Sequence, residues 1–277
     1  MEKVSIHGGH SGEFCHHAAD GLEDIIQKYI QLNFKWVGIT EHIPPLNNEC
    51  RYQDEIDDHI DCSYLMEQFF RYFQKGKQLQ KKYQNKITIY IGFETEAYTG
   101  YSQHVQLLRK KCQPDYIVGS VHHVDDINFD FSPSEYDRAV KKTGGIIPFY
   151  SRYFDIQYEM IQLIQPEVIG HFDVARLYDP LYKKHLSDSL IEKKIHRNLS
   201  SIRSHQMILD FNLRSWYKGA EEPYISKPIL EKARSMGIAV VPGDDSHGLD
   251  TVGLNIERGI RLLQSSGFNT RWKRPVP

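Results

Sequence analysis

The apolar positions of the chain follow two alternating periods. Seven short runs rich in β-branched and aromatic residues, KVSI, KWVGIT, ITIYIGF, DYIVGSV, EVIGHF, QMILDFN and GIAVVPG, read as strands. Between them lie longer segments of helical period. In DGLEDIIQKYIQLNF, Leu22, Ile25, Ile26, Tyr29 and Ile30 follow an i, i+3, i+4, i+7 pattern that makes one apolar face, and Asp20 stands before it as a predicted N-cap. SYLMEQFFRYFQKGKQLQKKY, SRYFDIQYEMIQLI and SDSLIEKKIHRNLSSIRS read the same way. Strands alternating with helices predict β/α units around a parallel sheet. No linker, low-complexity tract or internal repeat interrupts them, so the expected architecture is a single β/α barrel domain over residues 1–277. The segments 43–61 and 124–148, after the second and fourth runs, are predicted to be long loops that shape a substrate site.

Composition narrows the function classes. With 277 residues, 40% hydrophobic and 25% charged, the chain can bury a sizeable core. A formal net charge of −2 and the lack of a basic stripe argue against long nucleic acids. No apolar stretch approaches the roughly 20 residues that span a bilayer. No signal-peptide apolar region opens the chain, so a cytoplasmic location is expected. The four cysteines form no C-x-x-C pair and read as reduced thiols.

The chemistry shows in where the His, Asp and Glu residues fall. His10 follows the first run and His42 the second, in GITEH; Glu94 closes the third in IGFE and His122 the fourth in GSVHH. His171 lies in the fifth, within IGHFD, and Asp245 and His247 follow the seventh in GDDSH. In a β/α barrel those strand ends converge on one mouth. Taken singly, a strand-end histidine is more often a hydrogen-bonded structural residue, and Glu94 alone would more often pair with a Lys or Arg. Six strand ends together favour a metal site. Sets of imidazole and carboxylate without thiolate suit two or three divalent transition-metal ions (zinc, iron or manganese), with positions left open for water and substrate. Ions a few ångströms apart would acidify a bridging water to hydroxide for attack on phosphorus.

GITEHIP, IGFETE, IVGSVHHVDDINFDF, FDIQYEMIQLIQPEVIGHFD, KGAEEPY and DDSHG together resemble the histidinol-phosphate phosphatases of the polymerase and histidinol phosphatase (PHP) superfamily, most closely the fungal-type branch. The likeness runs along nearly the whole chain. It implies a distorted seven-stranded β/α barrel whose active site sits at the C-terminal strand ends, a trinuclear centre, and release of phosphate from L-histidinol phosphate in histidine synthesis. The implied ligands are His7 or the position beside it, His10, His17 (His16 competing by register), His42, Glu94, His122, His171, Asp245 and His247. His123 and Glu96 read as structural or supporting residues, and Asp173 and Asp244 as carboxylates that orient metal-bound histidines. Asp245 and His247 would stand at the reacting centre. His123, Asp125 and Asp244 are the residues from which the acid for the leaving alcohol would come.

Two departures stand out. The first motif should read His-x-His, but this chain has HGGHS, with Gly8 in the place of the first histidine and His7 one residue upstream. A one-residue slip in a strand turns a side chain to the opposite face, so His7 reaches the site only if Gly8 and Gly9 allow a bulge; otherwise one ion lacks a ligand and Gly8→His should restore it. After the sixth run, DFNLRSWYKG keeps Asn212 and Lys218 but has Arg214 where the family carries Ser, leaving Arg214 and Lys218 as expected phosphate-binding residues. The expected partner is a small phosphorylated metabolite, with neither nucleic acid nor membrane. The alternatives are another PHP-type phosphoesterase and a catalytically silent PHP-fold binding protein.

Overall fold

The computed structural model describes residues 2–276. Each of the seven apolar runs supplies a strand: β1 Lys3–Ser5, β2 Phe34–His42, β3 Thr88–Glu94, β4 Ile117–Gly119, β7 Val168–Ile169, β8 Ile208–Asn212 and β9 Ala239–Gly243. They pair in parallel in the order β1-β2-β3-β4-β7-β8-β9. The remaining two, β5 His123–Val124 and β6 Ile127–Asn128, form a separate antiparallel hairpin.

The two edges of the sheet are joined by backbone bonds. Ile6 N donates to Pro242 O (2.9 Å), Asp245 N to His7 O (2.9 Å) and His10 N to Ser246 O (2.7 Å). Beneath them, Ser5 Oγ donates to Asp244 Oδ1 (2.5 Å), whose carboxylate also accepts from Tyr29 OH (2.9 Å) and Gly253 N (2.6 Å). The sheet therefore closes into a barrel, and its first and last strands meet beside each other at the mouth.

Helices connect successive strands, as the 3.6-residue period predicts. Leu22–Gln31 buries Leu22, Ile25, Ile26 and Tyr29. Asp20 is not its cap. Its backbone is left-handed (φ +67°) and its carboxylate accepts from Leu249 N at 2.8 Å; Gly21 takes the cap position without a side-chain bond. Asp61 and Asp188 do cap the helices Cys62–Tyr83 and Ser189–Ser204. Segment 124–148 is less open than its lack of period suggests, since it holds most of the hairpin and the helix Pro133–Thr143. Segment 43–61 carries a 3-10 turn at Asn48–Cys50 and the short helix Gln53–Asp57. Among the described residues no helix is long and apolar enough to cross a membrane, and all four cysteines are free thiols.

Candidate metal centre

Glu94, the last residue of β3, lies at the centre of the mouth. It is buried, yet its partners are imidazoles. His171 Nε2 lies 2.8 Å and His122 Nε2 3.1 Å from Oε1, while His7 Nε2 and His42 Nδ1 lie 3.3 and 3.4 Å from Oε2. The Lys or Arg partner that an ordinary buried glutamate would need is not what the fold supplies. Burial opposes charge on Glu94, but the surrounding His7, His42 and His122 hold its carboxyl well below the usual range.

His7 settles the register of the first motif. Its ring is fully buried at the mouth, with Nδ1 3.0 Å from Asp210 Oδ2 on β8 and Nε2 toward Glu94. The glycines that follow permit this by their size. Neither has a positive φ. A Cβ on Gly8 would stand 2.1 Å from the carbonyl oxygen of Gly38 in β2, and one on Gly9 2.6 Å from Ile25. The position where a histidine was expected therefore presses against a neighbouring strand's backbone, which excludes any side chain there and corrects the expectation that Gly8→His would restore a ligand.

The other sequence-predicted groups collect around this core. His10 Nε2 lies 3.4 Å from Asp245 Oδ1. Asp245 adopts a left-handed backbone (φ +47°), a conformation that Asp tolerates better than most residues, and its Oδ2 accepts from Asn212 Nδ2 at 3.0 Å. The same amide reaches Asp210 Oδ2 at 3.0 Å, so Asn212 ties together the carboxylates beside His7 and His10. His17, exposed at the rim, brings its ring to 4.8 Å from His42 and 5.5 Å from His247. His7–His10–Asp245, His7–Glu94–His171, His17–His42–His247 and His42–Glu96–His122 each offer three ligand-type atoms within 4.8 Å of one another. All nine predicted ligands are thus brought together.

Their hydrogen bonding fits cations. His7 Nδ1, His122 Nδ1 and His42 Nδ1 face Asp210, Asp130 (2.7 Å) and Glu96 (3.2 Å), the usual way a carboxylate fixes an imidazole so that its second nitrogen is free to coordinate. The nitrogens left over, His7 Nε2, His42 Nε2 and both of His10, are buried without a hydrogen bond, as are His171 Nδ1 and Glu96 Oε2. Such orphans are costly in a protein interior unless a ligand completes them. The charge balance points the same way. Burial favours neutral His7, yet Glu94 and Asp245 raise its pKa well above the ordinary value; His10, buried beside His42, falls to about 4.

Several assignments made beside these ligands are corrected. His16 turns outward to Asp58 (2.7 Å). Asp173 accepts from Ser226 N (2.8 Å) and Asp244 from Ser5, Tyr29 and Gly253, so neither orients an imidazole. Asp125 sits at the hairpin turn, bonded by Arg152 Nε (2.8 Å). His123 faces Glu96 Oε2 at 3.4 Å and lines a smaller adjoining pocket, away from the cavity that the cluster opens into. The orienting roles fall instead to Asp210, Asp130 and Glu96. Asp210 and Asn212 are detectable in sequence as two polar residues at period two inside the apolar run ILDFN.

That cavity is about 200 Å³ and is lined by His17, His42, Glu94, His122, His171, Asp245 and His247 on the metal-type side, with Tyr52, Asp54, Asn128, Asp130, Arg214 and Lys218 among its other walls. Arg214 Nη1 donates to Asp245 O at 2.9 Å, which fixes a cation beside the cluster. Lys218 is held below its ordinary pKa by burial.

Comparison with known proteins agrees with this geometry. The chain is 35% identical over 273 residues to the Schizosaccharomyces pombe protein named "Probable histidinol-phosphatase", covering 96% of this chain and 88% of that one. It is 26% identical over 290 residues to the Saccharomyces cerevisiae histidinol-phosphatase, with 90% and 84% coverage. Among solved structures, a candidate histidinol phosphatase from Listeria monocytogenes superposes with a TM-score of 0.81 at 26% identity, covering 92% of this chain and 99% of that chain. The PHP domain model matches residues 8–214, from the glycine behind His7 to Arg214, and the chain belongs to the PHP domain family.

Proposed function

We propose that this chain is a cytoplasmic, metal-dependent phosphomonoesterase that hydrolyses L-histidinol phosphate to L-histidinol and phosphate, a step of histidine synthesis. The observation that carries the reading is the set of buried, unpartnered imidazole nitrogens around Glu94, opening into a small cavity that also holds Arg214 and Lys218. The relatives that bear the histidinol-phosphatase name support the substrate, and free thiols suit the compartment.

The residues present suit two or three divalent transition-metal ions of the zinc, iron or manganese type. His7, His10, Glu94, His171 and Asp245 would hold the inner side, and His17, His42, His122 and His247 the outer. When bound, such ions supply Lewis acidity toward phosphoryl oxygens and lower the pKa of water. The chain's own groups do the rest. Arg214, fixed through Asp245 O, and Lys218 place positive charge where the equatorial phosphoryl oxygens gather charge in the transition state. Asp210, Asp130 and Glu96 hold His7, His122 and His42 in one tautomer each, so the centre does not reorganise as substrate binds. The cavity, about 200 Å³, is of a size for a small metabolite.

The test is phosphate release from L-histidinol phosphate by metal-replete protein, with elemental analysis of the same sample. Release with at least two equivalents of metal is expected. Cleavage of other phosphomonoesters but not this one would identify a different phosphoesterase, and a metal-free, inactive protein would identify a binding protein.

A further inference from the structure

Asn128 is a cavity-lining residue that the metal centre does not use. It ends β6, and its side chain lines the cavity. Both polar atoms of its carboxamide, Nδ2 and Oδ1, are buried without a hydrogen bond. A buried amide left in that state costs free energy with no return, so an unpaired donor and acceptor in a substrate cavity mark a recognition element.

The backbone holds that amide in place. Asp125 and Asp126 are both left-handed (φ +50° and +62°), the backbone of a two-residue hairpin turn that matches strand twist. Arg152 Nε and Lys142 Nζ donate to Asp125, and Thr99 donates through N and Oγ1 to Asp126. Beyond Asn128, Phe129 is buried and its N–H donates to His122 O (3.1 Å), while Asp130 Oδ2 accepts a hydrogen bond from His122 Nδ1. Asn128 is therefore carried beside a metal-type histidine on a pinned hairpin.

We infer that Asn128 determines specificity by hydrogen bonding to nitrogen on the alcohol part of the phosphate ester, an inference that rests on the phosphomonoesterase reading above. Donor and acceptor counts favour that part of the ester over the phosphate. A phosphate dianion only accepts, so it could satisfy Nδ2 but would leave Oδ1 unpaired, and Arg214 and Lys218 already offer it charge. Oδ1 needs an N–H, which an imidazole or an ammonium carries; Nδ2 can donate to an unprotonated ring nitrogen. A phosphate ester whose alcohol lacks such nitrogen leaves at least Oδ1 unpaired, and sites built this way reject the lacking analogue far more strongly than apolar pockets do.

The experiment measures kcat/KM of the metal-loaded protein and its Asn128→Ala and Asn128→Asp variants. The substrates are L-histidinol phosphate, 2-(imidazol-4-yl)ethyl phosphate, L-alaninol phosphate and p-nitrophenyl phosphate, and melting temperature reports on the fold. Asn128→Ala is expected to lose roughly 10–100-fold on L-histidinol phosphate, against less than about 3-fold on p-nitrophenyl phosphate. The analogue that shares the loss identifies the nitrogen. Asn128→Asp, which keeps the acceptors and loses the donor, retains activity if that nitrogen is the ammonium and loses it if the ring nitrogen must accept. Equal losses on all four substrates, or none, overturn the inference. Wild-type protein that fails on L-histidinol phosphate while cleaving p-nitrophenyl phosphate overturns the substrate reading itself, a result distinct from the first. If Asn128→Ala melts early, the near-isosteric Asn128→Leu, which removes both polar atoms and keeps the branched shape, carries the same comparison.

Discussion

Glu94 and Tyr52 face the same cavity from structures of different kinds. Glu94 ends a strand in continuous parallel register with β2, from Trp36 opposite Thr88 to His42 opposite Glu94. Tyr52 stands outside the sheet, on the segment that climbs over the mouth, and is tied to the barrel by its hydroxyl donating to Glu96 Oε1 at 2.6 Å. Asn128 belongs with Tyr52, on the hairpin inserted after β4. His17 apart, the metal-type groups are carried at the ends of the barrel strands or within a few residues of them, and most groups that could meet the organic part of a substrate are carried by insertions between strands and helices. A barrel can change the second set without disturbing the first, which is how one scaffold accommodates many substrates.

The contrast can be broken most directly at Glu94. Glu94→Ala should remove the carboxylate that four imidazoles approach, lowering both metal content and phosphatase activity by more than the roughly 10–100-fold typical of losing an outer-shell partner. Elemental analysis together with turnover checks this, and full metal occupancy with unchanged rate would show that the strand ends do not build the centre. Next comes Gly8→His, expected to destabilise the protein by about 3 kcal/mol, at the upper end of overpacking penalties, because its Cβ meets backbone that cannot yield. Denaturant titration decides, and a variant as stable as wild type would mean that His7 and Gly8 exchange places.

Asp210→Asn tests whether strand rigidity is enough by itself. The substitution keeps the shape but not the charge that fixes His7 Nδ1, and metal affinity measured by competition with a chelator should fall roughly 10-fold or more. Tyr52→Phe should be mildest. Losing one hydrogen bond typically costs about 0.5–1.5 kcal/mol net, so KM for L-histidinol phosphate should rise by roughly 2–10-fold with metal content unchanged. A loss of metal instead would make the roof part of the centre.

The same division explains what is readable in the sequence. The seven strands are legible because each is a short continuous apolar run followed by a helical period, and six of their C-terminal ends then locate His10, His42, Glu94, His122, His171, Asp245 and His247, whereas His7 and His17 come only from the family resemblance. Of the orienting carboxylates, Glu96 reads as a supporting residue and Asp210 stands out as a polar residue in an apolar run, but the histidines they serve do not show in the sequence. Asp173 and Asp244 lie next to or near site residues in sequence, but Asp173 accepts from Ser226 N, and Asp244 turns away to Ser5 and Tyr29. Asp210 reaches His7 across 203 positions of sequence, a pairing that only barrel closure creates. The cavity roof is opaque for another reason. Its hairpin is held by single side-chain bonds from Thr99, Lys142 and Arg152, which leave no periodic trace. The paired glycines stand out in sequence for their torsional freedom, whereas the structure uses the space they leave empty.

Closure of β1 against β9 also bears on how the protein is made. Ser5 and Asp244 are 239 positions apart, so at ordinary translation rates of 5–20 residues per second a nascent chain waits roughly 10–50 seconds for the partner of its first strand. For most of that interval His7 and His10 lack the Asp210–Asn212 pair, and for all of it they lack Asp245. A ribosome-bound fragment ending before β8 should therefore display its imidazoles without retaining an ion.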